Sequence, residues 1–232
     1  MNPSVRRPRT EFWNSPGIYP ILDLEYCSKY GKNPLQLVSL WNRHKDVIPF
    51  YQLRAKKAQL REVREVYGSL ILNFPDFPLI LNDYWKEALD WEAFGLHIGK
   101  EDYQTLTESE KTSLHSSSLY LGTSCHTLED LSHLVPGEWD YTGLGPIFPT
   151  GSKETEDVPT GESILSRALE ILPDLPITPI GGIGPKEIKG ILNISPFLFA
   201  MIASASEEKP FSECVEVLRK FRTLTDRNTD GF

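Results

Sequence analysis

Residues 140–153 read DYTGLGPIFPTGSK. A short Gly-containing run meets two prolines, which stop it from continuing as a strand. Beyond them lies a loop tip carrying Thr150, Ser152 and Lys153. Two hydroxyls and an ammonium group presented at a strand end are donors suited to a phosphate. A second set of donors stands in YQLRAK, residues 51–56. Period-two alternation places Gln52, Arg54 and Lys56 on one side of a strand, as a cationic wall with an amide beside it. Three long polar groups turned into a core are costly unless they serve a ligand or one another. Asp83 ends the next apolar run and Asp102 follows the one after. Two carboxylates just past adjacent strands can share one hard cation, which makes this pair the candidate Mg2+ ligands. Ser124, in GTSCH at 122–126, is a further phosphate donor. Gly181 and Gly182 come just before Pro185, where a helix is expected to start. Glycines there let backbone N–H groups approach a phosphate at a helix N-terminus. His126 opens a helix just past its strand and reads as a capping or orienting group. His97 reads as a packing histidine, and Cys125 as a small buried apolar side chain.

The apolar runs that must position these groups number eight. They are Gly17–Asp23, Phe50–Lys56, Phe77–Asp83, Phe94–Lys100, Leu119–Cys125, Asp140–Gly145, Ile177–Ile183 and Phe197–Ala203. Between them lie segments of helical character: Pro34–His44, Ala58–Leu72, Trp85–Trp91, Thr105–His115, Thr127–Leu134, Ser163–Leu172, Pro185–Leu192 and Phe211–Leu224. Eight alternating β/α units predict an α/β fold, a single-domain (β/α)8 TIM barrel. An open doubly wound sheet usually carries a Gly-rich fingerprint after its first strand, and Leu24-Glu-Tyr-Cys-Ser28 has none. The expected layout is a flexible N-terminal arm over 1–15, a barrel over 16–224 and a C-terminal tail over 225–232.

The chain has 232 residues, 40% hydrophobic and 24% charged, which is long enough to bury a full core without staples. Its net charge of -8 opposes nucleic acid and anionic membrane surfaces. It opposes an anionic substrate too, so a phosphate must be attracted by a few placed cations, helix N-termini or a metal. Cys27, Cys125 and Cys214 are isolated and odd in number, which points to a reducing, cytoplasmic setting. No apolar run approaches membrane-spanning length. The N-terminal MNPSVRRPRTEFWNSP lacks the apolar core of a secretory signal. Small molecules are the expected partners, and a homo-oligomer is left open.

These motifs, in this order from about Gly17 to Ser206, resemble the thiamine phosphate synthase family. The 140–153 stretch is similar to the family's DY-[IV]-G-x-GPI-[FY]-PT-x-[TS]-K, residues 52–56 to QLR-x-K, and 122–126 to G-x-S-x-H. Asn82-Asp83 and residues 97–102 resemble ND-D and H-[IL]-G-QED, with Tyr84 in place of the second Asp and Lys100 in place of Gln. In the last strand Ala203 stands where the family has Ser, with Ser204 one place later, and Ile194-Ser-Pro196 replaces a Gly-Ala-Asp-Gly lead. The resemblance implies condensation of a pyrimidine diphosphate with a thiazole phosphate, releasing pyrophosphate with Mg2+. It further implies that Arg54, Lys56, Ser124 and Lys153 neutralise the leaving group. On the same resemblance Gln52 would hold the aminopyrimidine, and Asn82 would serve the pyrophosphate or the ring. Thr150 and Ser152 would contact the thiazole phosphate or the pyrophosphate, and the backbone at Gly182, Ala203 and Ser204 would hold the thiazole phosphate. Lys153 would close over the site as a lid. Two alternatives stay open: a thiazole tautomerase-like enzyme, and a non-catalytic barrel that binds thiazole or thiamine phosphate.

Overall fold

A computed structural model describes residues 9–135, 137–151, 159–195 and 197–229. Eight parallel strands form one sheet: β1 Gly17–Asp23, β2 Tyr51–Arg54, β3 Leu79–Asn82, β4 Gly95–His97, β5 Tyr120–Cys125, β6 Tyr141–Leu144, β7 Ile177–Pro179 and β8 Leu198–Met201. The hydrogen-bonded order runs β7-β6-β5-β4-β3-β2-β1-β8, and a parallel bridge between Ile180 and Ala200 joins the two ends. The result is the expected (β/α)8 barrel. Each strand lies within a predicted apolar run; β1 matches its run and β5 reaches the end of its own, while the other six stop short of the run's end, where the chain leaves the ladder for the loops.

Alternation along the strands separates two cores. Ile18 and Leu22 of β1 face outward into the layer between sheet and helices. Tyr19 and Ile21 face inward with Phe50, Ile80, Tyr120, Tyr141, Leu198 and Ala200, filling the barrel. The outer ring comprises α1 Leu24–Tyr30, α2 Pro34–Asn42, α3 Leu60–Asn73, α4 Trp85–Asp90, α5 Lys100–Gln104, α6 Glu108–His115, α7 Leu128–Ser132, α8 Ser163–Ile171, α9 Pro185–Ile191, α10 Ala203–Ser206 and α11 Glu208–Thr229. Asn33 caps α2 through Gln36 N at 3.1 Å with Pro34 as its first residue, as the sequence predicts. Thr107 and Glu110 form a capping box, so α6 starts at Glu108 rather than Thr105. Helices α1, α5 and α10 were not expected. All three are short and begin directly at strand or loop ends.

The expected boundaries shift at both termini. Residues 9–15, assigned to a flexible arm, pack across the N-terminal end of the barrel. Phe12 lies edge-on to Phe50, Phe94 and Tyr120, and Trp13 Nε1 donates to Tyr120 OH at 2.6 Å. Arg9 pairs with the fully buried Asp140 at 3.2 Å and covers the Tyr120 ring. At the other end α11 continues to Thr229, past the expected limit of 224. Arg222 on this helix donates to Pro16 O at 2.9 Å and fixes the entrance to β1.

Candidate active site

The C-terminal ends of β2, β3 and β4 bring the predicted cations and carboxylates together. Gln52 points into the barrel and is buried. Arg54, the last residue of β2, lies at the rim. Lys56 lies beyond the strand, so it is half-exposed above the barrel rather than part of an inward wall. Its Nζ stands 2.9 Å from Asp83 and 3.3 Å from Asp102. Burial pulls the ammonium pKa down, but the hydrogen bond and charge of Asp83, with those of Asp102, outweigh it and leave it above the ordinary lysine value. Asp83 adopts φ 67, a left-handed conformation uncommon for a non-glycine residue and enriched at functional sites. Asn82 Nδ2 donates to Asp83 Oδ2, and Gly99 N approaches Oδ1 at 3.4 Å. Among the described residues no three His, Cys, Asp or Glu side chains gather as a metal cage. The two carboxylates on one cation remain.

Arg54 has partners that sequence reasoning missed. Asp23 ends β1, and its Oδ1 caps α1 by accepting Tyr26 N at 2.8 Å. Its Oδ2 accepts Arg54 Nη1. Glu25 accepts Lys57 N at 2.7 Å through one oxygen, and its other oxygen lies 3.6 Å from Arg54 Nη1. Both carboxylates therefore lie against one nitrogen of the guanidinium, Nη1, with only Asp23 hydrogen-bonded to it. Among the described residues its Nε and Nη2 have no partner. The signal was present in the sequence: an Asp that closes an apolar run and opens a helix is a common N-cap.

Ser124 meets His97 Nε2 at 2.7 Å, and His97 Nδ1 meets Tyr141 OH at 3.0 Å. Tyr141 OH meets Tyr19 OH at 2.7 Å, and Gln52 Nε2 donates to Tyr19 OH at 2.7 Å. His97 is thus a member of a polar line across the barrel and not a packing residue. Burial raises both tyrosines well above the ordinary phenol range, so both keep their protons. His126 divides the two expected roles. Thr127 caps α7, while the His126 ring meets Gly145 O at 2.9 Å and orients the loop after β6. Lys100, standing where a Gln was expected, pairs with Asp130 at 2.6 Å and points along the rim.

The loops after β6, β7 and β8 form the other side. Gly181 and Gly182 have φ 98 and 63. A Cβ on Gly182 would overlap Phe148 and the Pro149 carbonyl, and one on Gly181 would meet Pro146 Cα at 2.7 Å. Only glycine permits this packing of the loop after β7 against Pro146, Phe148 and Pro149. Ser204 Oγ donates to Ile183 O at 2.7 Å and ties the loop after β8 to the loop after β7. The Ser204 proton is spent on that carbonyl, and Ala203 carries no hydroxyl. Ser152 and Lys153 lie outside the described residues.

A model of the family described as thiamine monophosphate synthase matches residues 18–205. The chain belongs to this family. A thiamine-phosphate synthase of Serratia proteamaculans is 30% identical over 195 residues, covering 82% of this chain and 84% of the relative. One from Enterobacter sp. is 28% identical over the same shares. Among solved structures, a thiamine phosphate pyrophosphorylase from Pyrococcus furiosus superposes with a TM-score of 0.69 at 24% identity, covering 88% of this chain and 96% of that one. A 3-keto-L-gulonate-6-phosphate decarboxylase from Vibrio cholerae shares the barrel, with a TM-score of 0.62 at 14% identity. The family match spans every strand from β1 to β8, so the motifs and the barrel that holds them coincide.

Proposed function

We propose that this chain is a thiamine phosphate synthase. It joins 4-amino-2-methyl-5-hydroxymethylpyrimidine diphosphate to 4-methyl-5-(2-phosphoethyl)thiazole, giving thiamine phosphate and pyrophosphate. The observation that carries the reading is the convergence of Arg54, Lys56, Asp83 and Asp102 at one rim of a family barrel. The C–O bond of the pyrimidine methylene breaks, and its electron pair leaves with pyrophosphate. The ring-stabilised cation is then trapped by the thiazole nitrogen. No protein nucleophile takes part. The protein has to hold charge where it develops and keep both partners aligned.

Gln52 holds the aminopyrimidine, and Asn82 meets the ring or the diphosphate. Arg54, Lys56, Ser124 and Lys153 donate to the departing pyrophosphate. Thr150 and Ser152 contact a phosphate, and the backbone at Gly182, Ala203 and Ser204 takes the thiazole phosphate, the usual barrel position beside loops seven and eight. The Asp83 and Asp102 oxygens, already brought to one cation, suit Mg2+, which favours one or two carboxylates together with substrate phosphates. Bound there, Mg2+ supplies charge neutralisation for the diphosphate. A tautomerase-like reaction releases no pyrophosphate and has no use for this rim.

The cysteines fit a reducing cytoplasm. Burial pushes the Cys27 and Cys125 thiols to about 11 and Cys214 to about 12, so none is a ready thiolate. Among the described residues no helix is long and apolar enough to cross a membrane. The test is pyrophosphate release: it is expected only when both substrates and Mg2+ are present, with one thiamine phosphate formed per pyrophosphate. Release without thiazole phosphate, at the same rate and yielding the pyrimidine alcohol, would mark a hydrolase instead.

A further inference from the structure

We infer that the line Gln52–Tyr19–Tyr141–His97–Ser124 is a directed hydrogen-bond relay that fixes His97 as its Nε2–H tautomer and leaves the Ser124 proton for an anionic oxygen. The inference deepens the proposed function, since it takes Gln52 and Ser124 to face the pyrimidine diphosphate. Every direction follows from the inventory of donors. An amide nitrogen carries protons and cannot accept, so Gln52 Nε2 donates to Tyr19 OH at 2.7 Å. Tyr19, having accepted, gives its own proton to Tyr141 at 2.7 Å. Tyr141 gives its proton to His97 Nδ1 at 3.0 Å. A ring nitrogen that accepts is bare, so the neutral imidazole carries its proton on Nε2 and donates to Ser124 Oγ at 2.7 Å.

The environment enforces this single polarity. Gln52, Tyr19, Tyr141 and His97 are all buried inside the barrel, where an unmet donor is costly. Among the described residues the Tyr19 and Tyr141 hydroxyls have no partners outside the line. Ser124, only partly buried, is its outlet toward the rim. In the opposite polarity Ser124 would spend its proton on His97 and show only lone pairs to a phosphate oxygen, which repel it. Tyr19, Tyr141 and His97 are therefore positioning residues. They act on the substrate through Ser124, and the relay couples the amide that reads the pyrimidine to the donor that meets the leaving group.

The tautomer is read directly by 15N NMR of the full chain labelled at histidine. His97 is identified among the five histidines by the signal lost in His97→Gln. Wild-type protein is expected to show a bare Nδ1 and a protonated Nε2. Gln52→Glu replaces the first donor by a carboxylate that only accepts. Tyr19 then donates toward it, each later bond reverses, and His97 is expected to move to the Nδ1–H tautomer. An Nδ1–H ring in the wild type, or the same tautomer in both proteins, overturns the relay. Should the charged variant not fold, Tyr141→Phe cuts the line with one atom. It is expected to give mixed tautomers and a kcat about tenfold lower, less than the loss of a donor outright. The KM for thiazole phosphate should be unchanged, and a single unaltered tautomer in this variant would also overturn the relay. His97→Gln, which keeps a donor near Nε2, should retain more activity than His97→Ala. The NMR arms need no turnover, so they stand or fall separately from the synthase reading.

Discussion

Arg54→Ala removes a guanidinium with two duties, and the two can be separated. Nη1 binds Asp23 and stands 3.6 Å from Glu25, while Nε and Nη2 have no partners among the described residues. Losing such a preorganised donor should lower kcat by about 10²–10³, or about 3–4 kcal/mol of transition-state stabilisation. The same change strips Asp23, whose side chain is 2% exposed, of its cation. Truncating one side of a buried pair costs about 3–5 kcal/mol. Water entering where the 16% exposed Arg54 side chain stood reduces this to about 2–3 kcal/mol. For a domain of this length that corresponds to a Tm lower by about 4–12 °C. Adding Asp23→Asn to Arg54→Ala lifts the stranded charge and keeps an N-cap for α1. The double variant should therefore recover most of the Tm and none of the kcat. Initial rates of pyrophosphate release and a thermal melt on the three proteins give both quantities. A kcat for Arg54→Ala within about threefold of wild type, against the 10²–10³ expected, would refute the donor role. An unchanged Tm would refute the Asp23 account.

Lys153→Ala should lower kcat by about tenfold or more, as for one lost donor, and leave the Tm unaltered. A large Tm loss would make the residue structural. Gly182→Ala forces φ 63 on alanine and pushes its Cβ into Phe148 and the Pro149 carbonyl. The expected result is a stability loss of about 1–3 kcal/mol and a raised KM for thiazole phosphate, measured by melting and initial rates; wild-type values in both would contradict the packing. Burial pushes the Asp130 carboxyl up, but the Lys100 hydrogen bond and those from His126 and Thr127 outweigh it and hold the group at about 2. A depressed carboxylate stabilises the fold above the ordinary carboxylate range and loses that contribution as pH falls through about 2. Asp130→Asn should therefore lower the Tm by a few degrees at neutral pH, with the gap closing toward pH 2. A pH-independent gap would contradict it.

The barrel was legible because each strand is an apolar run punctuated by Gly, Pro or Asp. Arg54, Asp83 and Asp102 were legible because each lies within a few residues of a strand end, at β2, β3 and β4. What escaped was non-local or short. Tyr19 and Tyr141 alternate inward as any core aromatic does, and nothing in their local pattern shows their hydroxyls meeting from strands 122 positions apart. Asp23 caps, and Glu25 opens, a helix of seven residues, too brief for periodicity to reveal. Phe12 and Trp13 close the barrel floor, yet two adjacent aromatics inside a polar segment carry no period at all. Lys56 was misdirected because alternation was extended past Arg54, where β2 has already ended.

The central claim is that this rim performs metal-assisted displacement of pyrophosphate by a thiazole. Thiamine phosphate formation from both substrates, measured with Mg2+, with EDTA, and after Mg2+ is restored, tests it most directly. The account predicts product with Mg2+, none in EDTA, and full recovery on readdition. Product formed equally well in EDTA would remove the metal from Asp83 and Asp102. No product under any condition, with thiazole phosphate still bound by calorimetry, would contradict the synthase reading and leave a barrel that only binds.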